Sequence, residues 1–259
     1  MLVALTSIGF LLAACSGQST STKIQITTDT ALKSSKIRIG VDATFPPFEM
    51  VGPNQNELTG FDIELMKAIA TRSGLDIEFV NAAVNQLLTS VLGCKLDGGI
   101  SAITITDELK SQIEFSDPYI TVGQVVVVKK GNIMIKGRDQ LSDMTVGVQK
   151  GSTSVKEIKN ISGAQLNIYP TLGLAYQELI MGNIDAVIAS KPRALSYTAI
   201  PANNLKIVGD EFGSESFGIA ICNKNVELVK KINDALAAVK ADGTLDKLTK
   251  KWLTNPIGE

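Results

Sequence analysis

From Ile37 onward the chain alternates short apolar runs with amphipathic stretches, and this alternation sharply limits the folds open to it. Ile37 to Asp42 reads as a strand, and Phe61 to Ser73 places Phe61, Leu65 and Ile69 on one helical face before Gly74 stops it. Asp76 to Asn81 returns to strand, Val84 to Lys95 is helical through Leu87, Leu88 and Val91, and Gly98-Gly99-Ile100 leads into a buried strand. Such a β-α-β-α-β succession implies a largely parallel sheet covered on both faces by helices. A second series follows: strands at Gln124 to Lys130, Thr145 to Val148, Leu166 to Tyr169 and Asp185 to Ala189, with helices from Ser154, from Leu172 to Met181 and from Arg193. A strand at Phe217 to Cys222 and helices at Val226 to Lys240 and Leu245 to Trp252 can return to complete the first unit. The expected fold class is therefore α/β with two lobes, each a mostly parallel sheet flanked by helices. The chain is expected to cross between them near 121–125 and 213–219, where Gly123, Gly213 and Gly218 ease backbone rotation. Ligands of open parallel sheets lie beyond the carboxyl ends of the strands, so two facing lobes make a cleft.

The N-terminus precedes this pattern and obeys other rules. Residues 2–14 are mostly apolar, too short to span a bilayer, and end in Leu12-Ala13-Ala14-Cys15. The segment resembles a bacterial lipobox, which implies cleavage before Cys15, a lipid on its thiol, and a Ser/Thr-rich tether to about Ser35. No Lys or Arg precedes the apolar run, which leaves a start upstream of Met1 open; an ordinary secretory signal or a buried strand with an incidental cysteine is the alternative reading. The expected organisation is 1–14 signal peptide, 15–35 anchor and tether, 36–122 plus 218–259 first lobe, and 123–217 second lobe.

A formal net charge of -1 with interspersed signs argues against a nucleic-acid partner, and the absence of histidine removes the commonest proton-transfer group and transition-metal ligand. No metal and no cofactor are expected. Cys94 and Cys222 lie far apart in apolar runs and read as buried small hydrophobes, not as a metal cluster or disulfide framework.

Several ordered segments carry a family resemblance: Asp42-Ala43-Thr44-Phe45-Pro46-Pro47-Phe48-Glu49, Gly60-Phe61-Asp62-Ile63-Glu64-Leu65, Ser101-Ala102-Ile103-Thr104-Ile105-Thr106-Asp107-Glu108 and Phe115-Ser116-Asp117-Pro118-Tyr119. With Gly147 to Thr153, Gly182-Asn183-Ile184-Asp185-Ala186-Val187 and the ending from Ala241 to Trp252, they resemble the family 3 solute-binding proteins of amino-acid ABC transporters, with a type II periplasmic-binding-protein fold. The resemblance implies a polar anchor at Asp42, an aromatic lid at Phe45, and backbone and hydroxyl groups for a ligand carboxylate at Ser101, Ala102 and Thr104. In the second lobe it implies contacts from Gln149, Ser152 and Thr153. Read from the residues alone, Gly151-Ser152-Thr153-Ser154 opens a helix whose N–H groups suit an anion, and a plain helix cap there is an equal reading.

Three positions depart from the family pattern. Leu109 stands where an Arg usually pairs with the α-carboxylate, Ser190 where an acidic residue takes the α-ammonium, and Val84, followed by Asn85, where an aromatic is usual. An ordinary zwitterionic amino acid is then expected to bind poorly, because losing one partner of a buried ion pair costs about 3 to 5 kcal/mol. Lys191 and Arg193 are the nearest candidates for a replacement cation, with a solvated helix face the expectation for at least one of them.

The function these features point to is a monomeric, lipid-anchored extracytoplasmic receptor that passes a small polar solute, an amino acid or analogue, to ABC permease subunits. The alternatives are an enzyme resembling prephenate or arogenate dehydratases, which share the fold, and a signalling ligand-binding module.

Overall fold

The computed structural model describes residues 36–55 and 57–254. The leader, Cys15 and the tether lie outside the described residues. In chain order the first part comprises β1 (Ile37–Val41), β2 (Thr44–Phe45), β3 (Glu49–Val51), β4 (Leu58–Thr59), α1 (Phe61–Ser73), β5 (Ile77–Asn81), α2 (Val84–Leu92), β6 (Gly98–Gly99), α3 (Asp107–Lys110) and β7 (Glu114–Phe115). There follow β8 (Ile120–Lys129), β9 (Thr145–Gln149), α4 (Ser154–Lys159), β10 (Gln165–Tyr169), α5 (Leu172–Met181), β11 (Ala186–Ser190), α6 (Lys191–Thr198) and β12 (Leu205–Phe217). The last elements are β13 (Ala220–Ile221), α7 (Val226–Ala241) and α8 (Thr244–Trp252).

These strands form two five-stranded sheets of the same design. The first runs β5-β1-β6-β13-β7 and the second β10-β9-β11-β8-β12. In each, three strands pair in parallel and two more join antiparallel at one side: β13 and β7 in the first sheet, β8 and β12 in the second. Four strands of each sheet thus run the same way and one, β13 or β8, runs against them, as expected of mostly parallel sheets. β5, β6, β10 and β11 are each reached through a helix, whereas β8 and β13 follow β7 and β12 through short extended segments, where antiparallel pairing needs no crossover. The small sheet β2-β3-β4 stands apart and carries Phe45.

Helix ends follow from local chemistry. α1 stops at Gly74 and α5 at Gly182, both left-handed with φ of 66 and 87, a conformation that costs a side chain but not glycine. α5 begins at Thr171, whose hydroxyl accepts from the Leu174 N–H at 3.3 Å. α2 lies so close to the first sheet that a Cβ on Gly40 would come 2.8 Å from Leu87 Cγ.

The first core packs α1 and α7 against the sheet around Phe48, Phe61, Tyr119 and Phe217, with Phe48 edge-on to Phe61 and Phe217 at centroid distances of 6.0 and 5.5 Å. The second sheet is buried on both faces: Val125, Val127 and Val187 face α5, and Val126, Val146, Val148 and Ile188 face α4. β8 and β12 pair along their length and pass from one core to the other. Near the crossing their register shifts between Val208 and Phe212 and again before Glu215, and Gly213 is left-handed at φ 58.

One expectation is overturned. Cys94 and Cys222 form a disulfide, with Cα atoms 5.2 Å apart and a sequence separation of 128. β13 pairs with β6, which seats Cys222 beside the turn after α2 where Cys94 lies, so topology supplies the proximity that sequence distance hid. The bond ties the two separated chain segments of the first lobe together without passing through the second. Replacing both cysteines by serine is expected to lower unfolding free energy by about 2 to 4 kcal/mol, because the open chain regains loop-closure entropy. Denaturant unfolding of the double variant checks this, and an unchanged midpoint would contradict it.

Candidate functional site

Phe45 is presented by β2, just ahead of Pro46-Pro47, and Arg193 by the first turn of α6 in the other lobe. The Arg193 guanidinium carbon lies 3.1 Å from the centre of the Phe45 ring, and the Ser196 hydroxyl donates to the Pro46 carbonyl at 3.2 Å. Between the lobes a cavity of about 80 Å³ is lined by Phe45, Ser101, Ala102, Thr104 and Leu109 from the first lobe, and by Gln149, Ser152 and Arg193 from the second. Seven of the ten ligand-contact residues expected from sequence meet here. Larger grooves of about 570 and 660 Å³, beside β7 and beside α5, lie away from this cluster.

The remaining three sit elsewhere. Asp42 has both oxygens engaged within its own lobe: Oδ1 accepts from the Thr44 hydroxyl at 2.6 Å, and Oδ2 from the Val84 N–H at the start of α2 at 3.0 Å. Thr153 accepts from the Gln124 side-chain amide, and its N–H donates to Glu215 at 3.4 Å. The Ser190 hydroxyl is buried without a partner and does not line the cavity. The helix opening after Gly151 is the six-residue α4, and the Ser152 hydroxyl turns back to the Gln149 carbonyl at 2.9 Å. Of the two replacement cations, Lys191 is exposed and pairs with Glu211, whereas Arg193 is buried in the cleft.

Sequence reasoning missed the carboxyl groups beneath the site. Glu49 accepts from the Ser101 hydroxyl, and Asp62 accepts from the Ala102 N–H at 2.7 Å and from the Tyr119 hydroxyl at 3.1 Å. Ala102 adopts φ 42, a conformation unusual for a residue with a Cβ, so these bonds fix the strained segment that faces the cleft. The two acids are wholly buried, and one oxygen of each, Glu49 Oε2 and Asp62 Oδ1, has no hydrogen-bond partner. Burial and the neighbouring Asp62 charge push Glu49 well above the usual carboxylate range; burial raises Asp62 to about 6 against its donors. Both shifts favour the protonated form of the acid. Glu215 on β12 is also raised by burial and accepts from the Thr104 hydroxyl at 2.7 Å, which joins both lobes through the crossing strand. Burial lowers Arg193 to about 10, so it stays cationic near neutrality.

Acids whose pKa rises on folding bind protons more tightly when folded, so their contribution to stability declines as pH climbs from about 4 through the folded values. Glu49→Gln keeps an acceptor for Ser101 and offers a donor to Asp62 while removing one titration. Its stability is expected to fall less than that of the parent between pH 5 and pH 8, by about 1 kcal/mol or more. Urea unfolding at the two pH values tests this; an equal change in the two proteins would contradict the raised Glu49 titration.

Comparison with known proteins places the architecture. The L-cystine-binding protein TcyJ of Escherichia coli is 33% identical over 216 residues, covering 83% of this chain and 81% of that protein. The structure of an ancestral arginine-binding protein bound to arginine matches with a TM-score of 0.75 and 42% identity, over 84% of this chain and 97% of that one. An ancestral amino acid-binding protein described as a precursor of cyclohexadienyl dehydratase matches with a TM-score of 0.73 and 36% identity, over 86% and 97%. The sequence profile of the bacterial extracellular solute-binding proteins, family 3, matches residues 37–255, and with two mixed sheets facing one cleft, the chain belongs to that family.

Proposed function

We propose that this chain is the extracytoplasmic receptor of an ABC importer, which binds an amino acid or related small carboxylate by closing its two lobes and delivers it to the permease subunits. The meeting of Phe45 and Arg193 across the cleft, with Ser101 to Thr104 below and Gln149 to Ser152 opposite, carries this reading. Relatives whose names record binding of cystine or arginine support the solute class. The disulfide fits an oxidising compartment outside the cytoplasm. Among the described residues no helix is long and apolar enough to cross a membrane, and attachment through a lipid on Cys15 is part of the proposal. The receptor acts as a monomer.

The likeness to a dehydratase precursor gives an enzymatic reading a specific footing. Binding without turnover is favoured because Glu215, the buried acid at the lobe crossing, spends its accepting oxygen on Thr104 and Thr153 and does not line the cavity.

Solvent extraction of the purified protein and mass spectrometry of the released molecules identify a bound solute, and calorimetry confirms it. The expected result is one site, an unaltered solute, and stabilisation of about 2.7 kcal/mol at a hundredfold excess over Kd. Conversion of the solute would move the assignment to an enzyme, and failure of every amino acid and small carboxylate to bind would refute it.

A further inference from the structure

The lining of the cleft is charged on one side only. It includes Arg193 and Lys150 and no aspartate or glutamate. Arg193 is 7% exposed, its Nη2 is buried without a partner, and among the described residues its guanidinium donates no hydrogen bond and forms no ion pair. Phe45 covers one face of the guanidinium plane but offers nothing to its N–H edge. The two carboxyls that act on it electrostatically make their hydrogen bonds elsewhere, Glu215 to Thr104 and Thr153 and Glu49 to Ser101, and neither forms an ion pair with it.

A buried guanidinium with a covered face and an unmatched edge is the complement of a carboxylate, which accepts two parallel N–H bonds in the guanidinium plane. An ammonium group meets the opposite situation. Leu109 and Ser190 supply no charge, and the ammonium would be desolvated beside two cations.

We propose that Arg193 is the anchor for the ligand carboxylate in this cleft and that the site selects small carboxylates lacking an α-ammonium, such as 2-oxo acids, over the corresponding amino acids. The assignment rests on the receptor reading above and narrows its solute class. It also moves the anchoring cation from the first lobe to the second, so that the carboxylate bridges Arg193 to the hydroxyl and N–H groups of Ser101 to Thr104.

Calorimetry of the purified protein with matched pairs tests this: L-alanine and pyruvate, L-glutamate and 2-oxoglutarate, L-arginine and its 2-oxo analogue. The oxo acid of at least one pair is expected to bind about tenfold or more tighter than its amino acid. Arg193→Met, which keeps length and loses charge, is expected to weaken that oxo acid about a hundredfold or more, and Arg193→Lys to recover part of the loss. Circular dichroism and melting temperature establish that each variant folds; if Arg193→Met does not, the order within the parent's pairs and the Arg193→Lys result decide. Tighter binding of the amino acids by the parent, or an oxo-acid affinity unmoved in a folded Arg193→Met protein, would overturn this inference and leave the receptor reading standing. Binding of none of the six would overturn this inference, while the receptor reading falls only if every amino acid and small carboxylate fails to bind.

Discussion

The antiparallel ladder between β8 and β12 is the constraint on which the rest of the molecule depends. It is the route by which the chain leaves one core and returns to it, and both lobes hang from its two ends. At the Ile120 end its side chains belong to the aromatic core around Phe217; from Val125 onward they belong to the second sheet. Between these rigid ends the register slips twice, and Glu215 sits in that irregular stretch holding Thr104 on one side and the Thr153 N–H on the other. A packed core resists deformation, whereas a short irregular two-stranded link can turn at little cost. Relative motion of the lobes is therefore concentrated where the cleft residues are attached.

The first lobe is made stiff by means that serve the site. The disulfide joins its two chain segments, and the buried acids Glu49 and Asp62 hold Ser101 and Ala102 in place, the latter against its own backbone preference. Burying two carboxyl groups costs free energy unless they are neutralised and hydrogen-bonded; burial raises both pKa values, and Ser101, Ala102 and Tyr119 donate to one oxygen of each acid. The result is a preorganised set of polar groups on one wall, with Arg193 facing it from the other.

Much of this was legible in the sequence, and the exceptions share a cause. α1 and α5 have the bounds that amphipathic periodicity and a terminal glycine indicate, because both signals are local. β12 carries no legible strand pattern before Phe217, since Gly209-Asp210-Glu211 interrupts its alternation and its partner β8 lies some eighty residues away. The Cys94–Cys222 pairing is hidden for the same reason: it depends on β13 entering the first sheet next to β6. At the site, Phe45 and the Ser101 to Thr104 segment came from family resemblance. Lys191 and Arg193 could be told apart only once α6 was set against the cleft, two residues being enough to turn one to solvent and the other inward. The burial of Glu49 and Asp62 has no local signature, since each follows a phenylalanine in a segment that reads equally well as surface.

The central claim is that the two lobes close on a small carboxylate about the β8 and β12 link. Small-angle X-ray scattering of the purified protein, stripped of bound solute and then saturated with the molecule that mass spectrometry identifies, tests it most directly. The account predicts a smaller radius of gyration in the saturated protein, with unchanged mass. An identical radius in the two states, at concentrations where calorimetry shows the site full, would contradict it.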